Sequence, residues 1–258
     1  MKSLEGKVAL VTGAGKPEQQ SGGIGFGCAL TLAHSGVNVL LNDANQEVLE
    51  SAYRWIKPQQ FCGTFSGDIF EQDQRRGIAD VAETWMQGVS ILVTGPATTI
   101  RKPALELTSD DYASVYYDNF VSHVDLAKLV AAGMVRRGSD GCIIFITSIY
   151  GSLVRKGSLP YDAAKAALNQ ATKVLAKEWA PFGIRVNAIE PGFVDTPGEH
   201  KFATDVEIET VKRKLPLGAA TSEDIGKVAV MLASSEHITG QIIRVDGGHG
   251  LVDLYDQV

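Results

Sequence analysis

Short runs dominated by β-branched and aromatic residues return seven times along this chain, with longer amphipathic stretches between most of them. The runs are VALVT (8–12), VNVLLN (37–42), FCGTF (61–65), VSILVT (89–94), CIIFIT (142–147), IRVNAI (184–189) and QIIRV (241–245). Helix-period stretches lie near 23–35, 46–57, 70–87, 109–137, 159–181 and 222–234, and Ser109-Asp110-Asp111 and Thr221-Ser222-Glu223-Asp224 are start signals for two of them. Alternation of this kind builds βαβ units, since neighbouring parallel strands need a crossover between them. Most runs are apolar throughout, the mark of strands covered on both faces. The spacing therefore predicts an α/β fold: one doubly wound, seven-stranded parallel sheet with helices on both faces, in a single domain over 1–258.

Composition closes off other classes. With 24 Lys+Arg against 30 Asp+Glu the formal charge is −6, which argues against nucleic acid or an anionic membrane surface as partner. No apolar run approaches the roughly 18 to 20 residues of a membrane span, and the opening MKSLEGKVALVTG has no signal-peptide core. Cys28, Cys62 and Cys142 are scattered and odd in number, so they read as buried thiols in a reducing cytoplasm. The histidines (34, 123, 200, 237 and 249) form no ligand pattern, and neither a metal site nor a catalytic histidine is expected.

In a doubly wound sheet, ligands sit at the carboxyl ends of the strands. After the first run comes Thr12-Gly13-Ala14-Gly15 and, past a polar stretch, Gly22-Gly23-Ile24-Gly25, a glycine-dense loop opening a helix. Glycines let backbone approach a pyrophosphate, and a helix N-terminus offers amide donors and partial positive charge. Asp43, at the end of the second run, can accept hydrogen bonds from ribose hydroxyls and would repel a 2′-phosphate. Together these predict a dinucleotide site that prefers NAD, with NADP as the alternative.

The chemistry is densest over 142–197. Ser148 closes a buried run, and Tyr161 and Lys165 are placed i, i+4 on one helix face. Lowering a tyrosine pKa from about 10 to about 7 requires roughly 4 kcal/mol. One cation at about 4 Å in an effective dielectric near 20 supplies a comparable amount.

Ser148, then Tyr161 and Lys165 in YDAAK, then RVNAIEPGFVDTP and ITGQIIRVDGG run in the order and spacing of the short-chain dehydrogenases/reductases, a Rossmann-like family that the whole chain resembles. The resemblance implies that Tyr161 is the general acid/base at the substrate oxygen and that Ser148 positions that oxygen. Lys165 would lower the tyrosine pKa and hold the nicotinamide ribose, and Asn119 would support a water chain to Lys165. For the cofactor it implies Gly13, Gly23, Ile24 and Gly25 as the glycine motif, Asp43 as ribose acceptor, and Asp68-Ile69 beside the adenine. Pro191, Gly192, Val194 and Thr196 would hold the nicotinamide carboxamide. Asp68 also reads as a helix N-cap.

Two departures stand out. The family's Thr-Gly-x-x-x-Gly-x-Gly is widened here by Lys16 to Ser21, which either bulges outward or brings Lys16 to a phosphate, opening the way to NADP. The family's Asn-Asn-Ala-Gly after the fourth strand is Thr94-Gly95-Pro96-Ala97, so two bracing asparagines are missing and a proline removes an amide donor. The resemblance places Leu153, Val154, Arg155 and Leu159, with 193–215, around a substrate, and Arg155, His200 and Lys201 leave a carboxylate, a polyol or a plain ketone open. It also implies a homo-oligomer, tetramer or dimer, joined through the helices near 109–137 and 159–181 and through the C-terminal segment, where the tail Leu251 to Val258, with Leu254, Tyr255 and Val258, either packs on a neighbour or frays in solvent. The reading is an oxidoreductase interconverting a small-molecule secondary alcohol and ketone. Its rivals are a non-redox isomerase or dehydratase on the same scaffold and a cofactor-sensing protein, the latter expected to lack Tyr161 or Lys165.

Overall fold

The structure is a computed structural model that describes residues 2–201 and 204–251, without the side chain of Lys201. Seven parallel strands run in the order β3-β2-β1-β4-β5-β6-β7: β1 (Val8–Thr12), β2 (Asn38–Asp43), β3 (Cys62–Ser66), β4 (Ile91–Thr94), β5 (Gly141–Ile146), β6 (Ile184–Pro191) and β7 (Ile242–Val245). The order reverses between β1 and β4, where a doubly wound sheet opens a crevice at its carboxyl edge. The predicted Rossmann-like fold is therefore observed, with strand limits shifted by a residue or two.

Each face of the sheet carries its own apolar layer. On one side Val11, Val39, Leu41, Val93 and Ile144 pack under α1 (Ile24–His34), α2 (Gln46–Ile56) and α8 (Ser222–Ser234). On the other, Leu10, Leu40, Leu92, Ile143 and Phe145 pack under α3 (Gln72–Thr84), α5 (Ser122–Arg136) and α6 (Leu159–Trp179). α1 and α8 cross closely because both present glycine: a Cβ on Gly226 would stand 2.5 Å from the Gly27 carbonyl oxygen. Cys28, Cys62 and Cys142 are buried free thiols, as expected, and burial pushes the first two up to about 12 and Cys142 to about 11. No helix among the described residues is long and apolar enough to cross a membrane.

Two helical expectations change. The continuous helix predicted over 109–137 is α4 (Ser109–Tyr116), a π-helical turn (Tyr117–Val121) and α5. The extra residue in the turn carries Asn119 inward, where its Nδ2 donates to the carbonyls of Val115 (2.9 Å) and Thr98 (2.8 Å). Within the predicted substrate loop 193–215, an unforeseen helix α7 (Asp205–Lys214) forms behind a capping box, Thr204 with Glu207. Equivalent boxes open α4 (Thr108 with Asp111) and α8 (Thr221 with Asp224), each of the kind that contributes about 1 kcal/mol.

Candidate active site

The glycine loop leaves β1 at Gly13, whose φ of +64° belongs to glycine, and enters α1 through Gly23. A Cβ on Gly25 would lie 2.2 Å from the Gly13 carbonyl oxygen, so only glycine lets the first turn of α1 lie on the end of β1. Gly23 is extended, makes no side-chain cap, and a Cβ there would meet open space. The first-turn amides of α1 thus have no side-chain acceptor, which is the arrangement that takes a phosphate.

Asp43 is where the sequence puts it, at the carboxyl end of β2, and both of its oxygens are already engaged. Oδ2 accepts from Gly15 N–H and Oδ1 from Asn45 N–H, each at 3.0 Å, so the carboxylate fastens the glycine loop to the start of α2 while keeping lone pairs for further donors. Lys16 does not bulge outward. It is 6 % exposed, its Nζ donates to the Pro17 carbonyl (3.0 Å) and sits 4.8 Å from the centre of the Trp55 ring, while Glu18 beyond it pairs with Arg54. The insert lies on α2 with only its tip, 18–21, exposed. Asp68 accepts from Phe70 N–H (2.8 Å) in a tight turn, whereas the N-cap position of α3 belongs to Glu71, so the helix-cap expectation for Asp68 fails. Ile69 beside it is buried.

At the end of β4 the missing asparagines have a replacement. Thr12 Oγ1 donates to Thr94 Oγ1 (3.0 Å), Thr94 Oγ1 meets His123 Nδ1 (2.8 Å), and His123 Nε2 meets the Pro96 carbonyl (2.8 Å). A carbonyl only accepts, so Nε2 carries the proton, Nδ1 is the acceptor, and donation runs one way from Thr12 to Pro96. His123 is fully buried, and burial, reinforced by the charge of Lys165, lowers its pKa to about 3.

Ser148 follows β5 in extended backbone and accepts from Tyr150 N–H (3.2 Å). Tyr161 and Lys165 stand one turn apart on α6, with Pro160 in the opening turn of that helix. Lys165 is 1 % exposed, donates to the Ile146 carbonyl (3.2 Å), and places Nζ 5.6 Å from the centre of the Tyr161 ring. Burial lowers Lys165 to about 7. Burial raises Tyr161 to about 12, against a smaller downward pull from the Ser148 hydroxyl and then from Arg155. The protein alone therefore holds Tyr161 as a neutral phenol, contrary to the expected drop toward 7. Lys165 is fully and Tyr161 partly buried, and the desolvation of the phenol outweighs the groups that favour its ionisation. Asn119 is buried next to this region. Its donors go to Val115 and Thr98, and its Oδ1 has no partner among the described residues.

Ser148 and Tyr161 open into a cavity of about 230 Å³. Ile24, Pro191, Gly192, Val194 and Thr196 line the same space, so the phosphate end and the β6 end of the predicted site converge there. Gly192 is held by its N–H on Val245 (2.9 Å), and Val194 bridges to Ala220. Of the predicted substrate wall, Arg155 and, from the segment 193–215, Phe193, Gly198 and Glu199 line the cavity together with Val194 and Thr196. Leu153, Val154 and Leu159 do not, and Val154 is 94 % exposed, because the turn after Ser148 points its apolar side chains away from the cleft. His200 pairs with Asp195 (2.9 Å) and Asp205 (3.3 Å) away from the cavity, and Lys201, Leu254, Tyr255 and Val258 lie outside the described side chains.

Sequence reasoning missed Thr98, Thr99, Arg101, Thr147, Tyr150 and His249, which also line it. It also missed Glu190, a buried carboxylate next to Pro191. Its Oε1 accepts from Ser152 (2.5 Å) and Asn169 (3.1 Å) and its Oε2 from Arg244 (2.7 Å), tying the turn after Ser148 to α6, β6 and β7. Its place in NAIEPG, where an acid interrupts an apolar strand end, was a readable signal.

Residues 19–250 match the family model described as enoyl-(acyl carrier protein) reductase. A tropinone reductase homolog of Arabidopsis thaliana is 33% identical over 95% of this chain and 93% of its own length. Among solved structures, a gluconate 5-dehydrogenase from Burkholderia cenocepacia in complex with NADP and tartrate superposes with a TM-score of 0.86 at 30% identity, covering 97% of both chains. A 7α-hydroxysteroid dehydrogenase complexed with NADH and 7-oxo glycochenodeoxycholic acid gives 0.87 at 28%, over 95% of this chain and 94% of its own. Sheet order, glycine loop and sequence similarity agree: the chain belongs to the short-chain dehydrogenase/reductase family of oxidoreductases, whose nearby structures hold a nicotinamide cofactor.

Proposed function

We propose that this chain interconverts a small-molecule secondary alcohol and its ketone, using NAD, within one catalytic domain whose substrate loop spans about 193–215. The observation that carries the reading is convergence: Ser148 and Tyr161 share one cavity with Pro191, Gly192, Val194 and Thr196, and Lys165 is buried beside Tyr161. Gly13, Gly23, Ile24 and Gly25 would take the pyrophosphate, Asp43 the adenosine ribose, and Asp68 and Ile69 the adenine edge. When bound, the dinucleotide supplies or takes up the hydride. The rest is work for the chain's own groups. Tyr161 donates its phenolic proton to the substrate oxygen in reduction and recovers it in oxidation, Ser148 hydrogen-bonds that oxygen, and Lys165 and Asn119 stand behind the tyrosine.

For NAD over NADP the support is Asp43, a carboxylate where a 2′-phosphate would lie, together with Lys16 turned onto Pro17 and Trp55. Titration with NADH and NADPH, followed by nicotinamide fluorescence, is expected to show tighter NADH binding that Asp43→Ala relaxes. Equal binding by the wild type would refute the preference. Tyr161→Phe is expected to bind NADH like the wild type and to lose about 10²- to 10⁴-fold in turnover. Near-wild-type turnover would remove Tyr161 from its role, and product formed with no net change in nicotinamide absorbance would favour a non-redox reaction.

A further inference from the structure

Of the described buried side-chain polar atoms that have no hydrogen-bond partner, Thr99 Oγ1, Arg155 Nε and His249 Nδ1 belong to residues lining the cavity that Ser148 and Tyr161 share. Buried polar groups are costly to leave unpaired, and several around one space mark a place for a polar ligand. Arg155 is central among them. Its guanidinium carbon lies 4.1 Å from the centre of the Tyr150 ring and 5.6 Å from that of Tyr161, which stacks the charge against the reacting end of the cavity. Its side-chain hydrogen bond goes from Nη2 to Ser158 Oγ (2.9 Å), a neutral acceptor. The nearby Asp162 carboxylate is engaged by the Arg155 backbone N–H (3.0 Å) instead. Glu199 is the one carboxylate among the lining residues, and among the described residues Arg155 makes no ion pair with it or with Asp162, so the guanidinium keeps donors for a ligand in the cavity.

We infer that the substrate is a small oxo or hydroxy acid whose carboxylate is received by Arg155, with Thr99 and His249 as flanking donors. The inference rests on the oxidoreductase reading and specifies its substrate. Arginine presents a planar fork that matches a carboxylate, and stacking on Tyr150 pre-orients that fork. His249 accompanies Arg155 as an edge-on neighbour of the same Tyr150 ring, 6.3 Å between centroids.

The test is binding to the enzyme·NADH complex, read by calorimetry and by nicotinamide fluorescence. The probes are acetoacetate, 4-oxopentanoate, 5-oxohexanoate and 5-ketogluconate, with the methyl esters of the three oxoalkanoates as neutral counterparts. At least one acid is expected to bind about 10- to 100-fold tighter than its ester. Arg155→Met is expected to abolish that preference and Arg155→Lys to retain part of it. Ester binding as tight as the acid, no acid bound, or a preference that survives Arg155→Met each overturns the inference. Failure of the underlying reading looks different: NADH itself would not bind, or a bound oxo compound would leave the nicotinamide absorbance unchanged.

Discussion

His123 shows how one residue can restore what the sequence around it removes. Thr94-Gly95-Pro96-Ala97 gives the end of β4 neither asparagine, yet the imidazole fixes Thr94 from one nitrogen and Pro96 from the other. The role requires a neutral ring. Its pKa in the fold is about 3 against the usual 6.5, so between those values the unfolded chain takes up a proton that the folded one refuses. This contribution to stability is intact above about pH 6.5 and falls by about 1.4 kcal/mol per pH unit as the medium is acidified toward 3. His123→Gln, which keeps a donor and an acceptor without titrating, is expected to flatten that part of the acid limb. Denaturant unfolding of both proteins at pH 7, 6 and 5 measures it, and parallel curves would rule the account out. Much of the site was legible at this scale, since Gly13, Asp43, Ser148, Tyr161 and Lys165 follow strand ends or share a helix face. Thr99, Tyr150 and His249 were not, because they come from separate loops whose meeting depends on the folded sheet.

At the scale of elements, the seven strands were legible because apolar runs bounded by polar turns leave few alternatives. The helices were less so. α7 buries only Ile208 among its residues and has little apolar periodicity, although Thr204 and Glu207 at capping-box spacing and the basic close Lys212-Arg213-Lys214 were there to be read. The π-helical turn over Tyr117–Val121 has no compositional signature at all: its reason is the inward reach of Asn119 to Thr98, a contact between segments that only the fold brings together. The insert after Gly15 misled for a related cause. Lys16 is polar in the sequence but has carbonyls and an aromatic face waiting for it on the loop and α2.

For the whole molecule we expect a homo-oligomer, tetramer or dimer. Tyr112 and Tyr116 on α4, Val174 on α6 and Phe182 just beyond it are large apolar side chains left 39 to 52 % exposed, on helices that pack against each other. Size-exclusion chromatography with light scattering should return a multiple of 27.6 kDa, and a monomer would refute the expectation. Within each chain the π turn acts as a phase shifter. A helix advances about 100° per residue, so the one residue gained between α4 and α5 decides which way everything after it faces. With it, Asn119 and His123 clasp the 94–98 segment while Leu126, Val130 and Met134 still meet the sheet. A descendant of this chain shortened by one residue there could keep the clasp or the core contact, so this stretch tolerates substitution far better than a change of length.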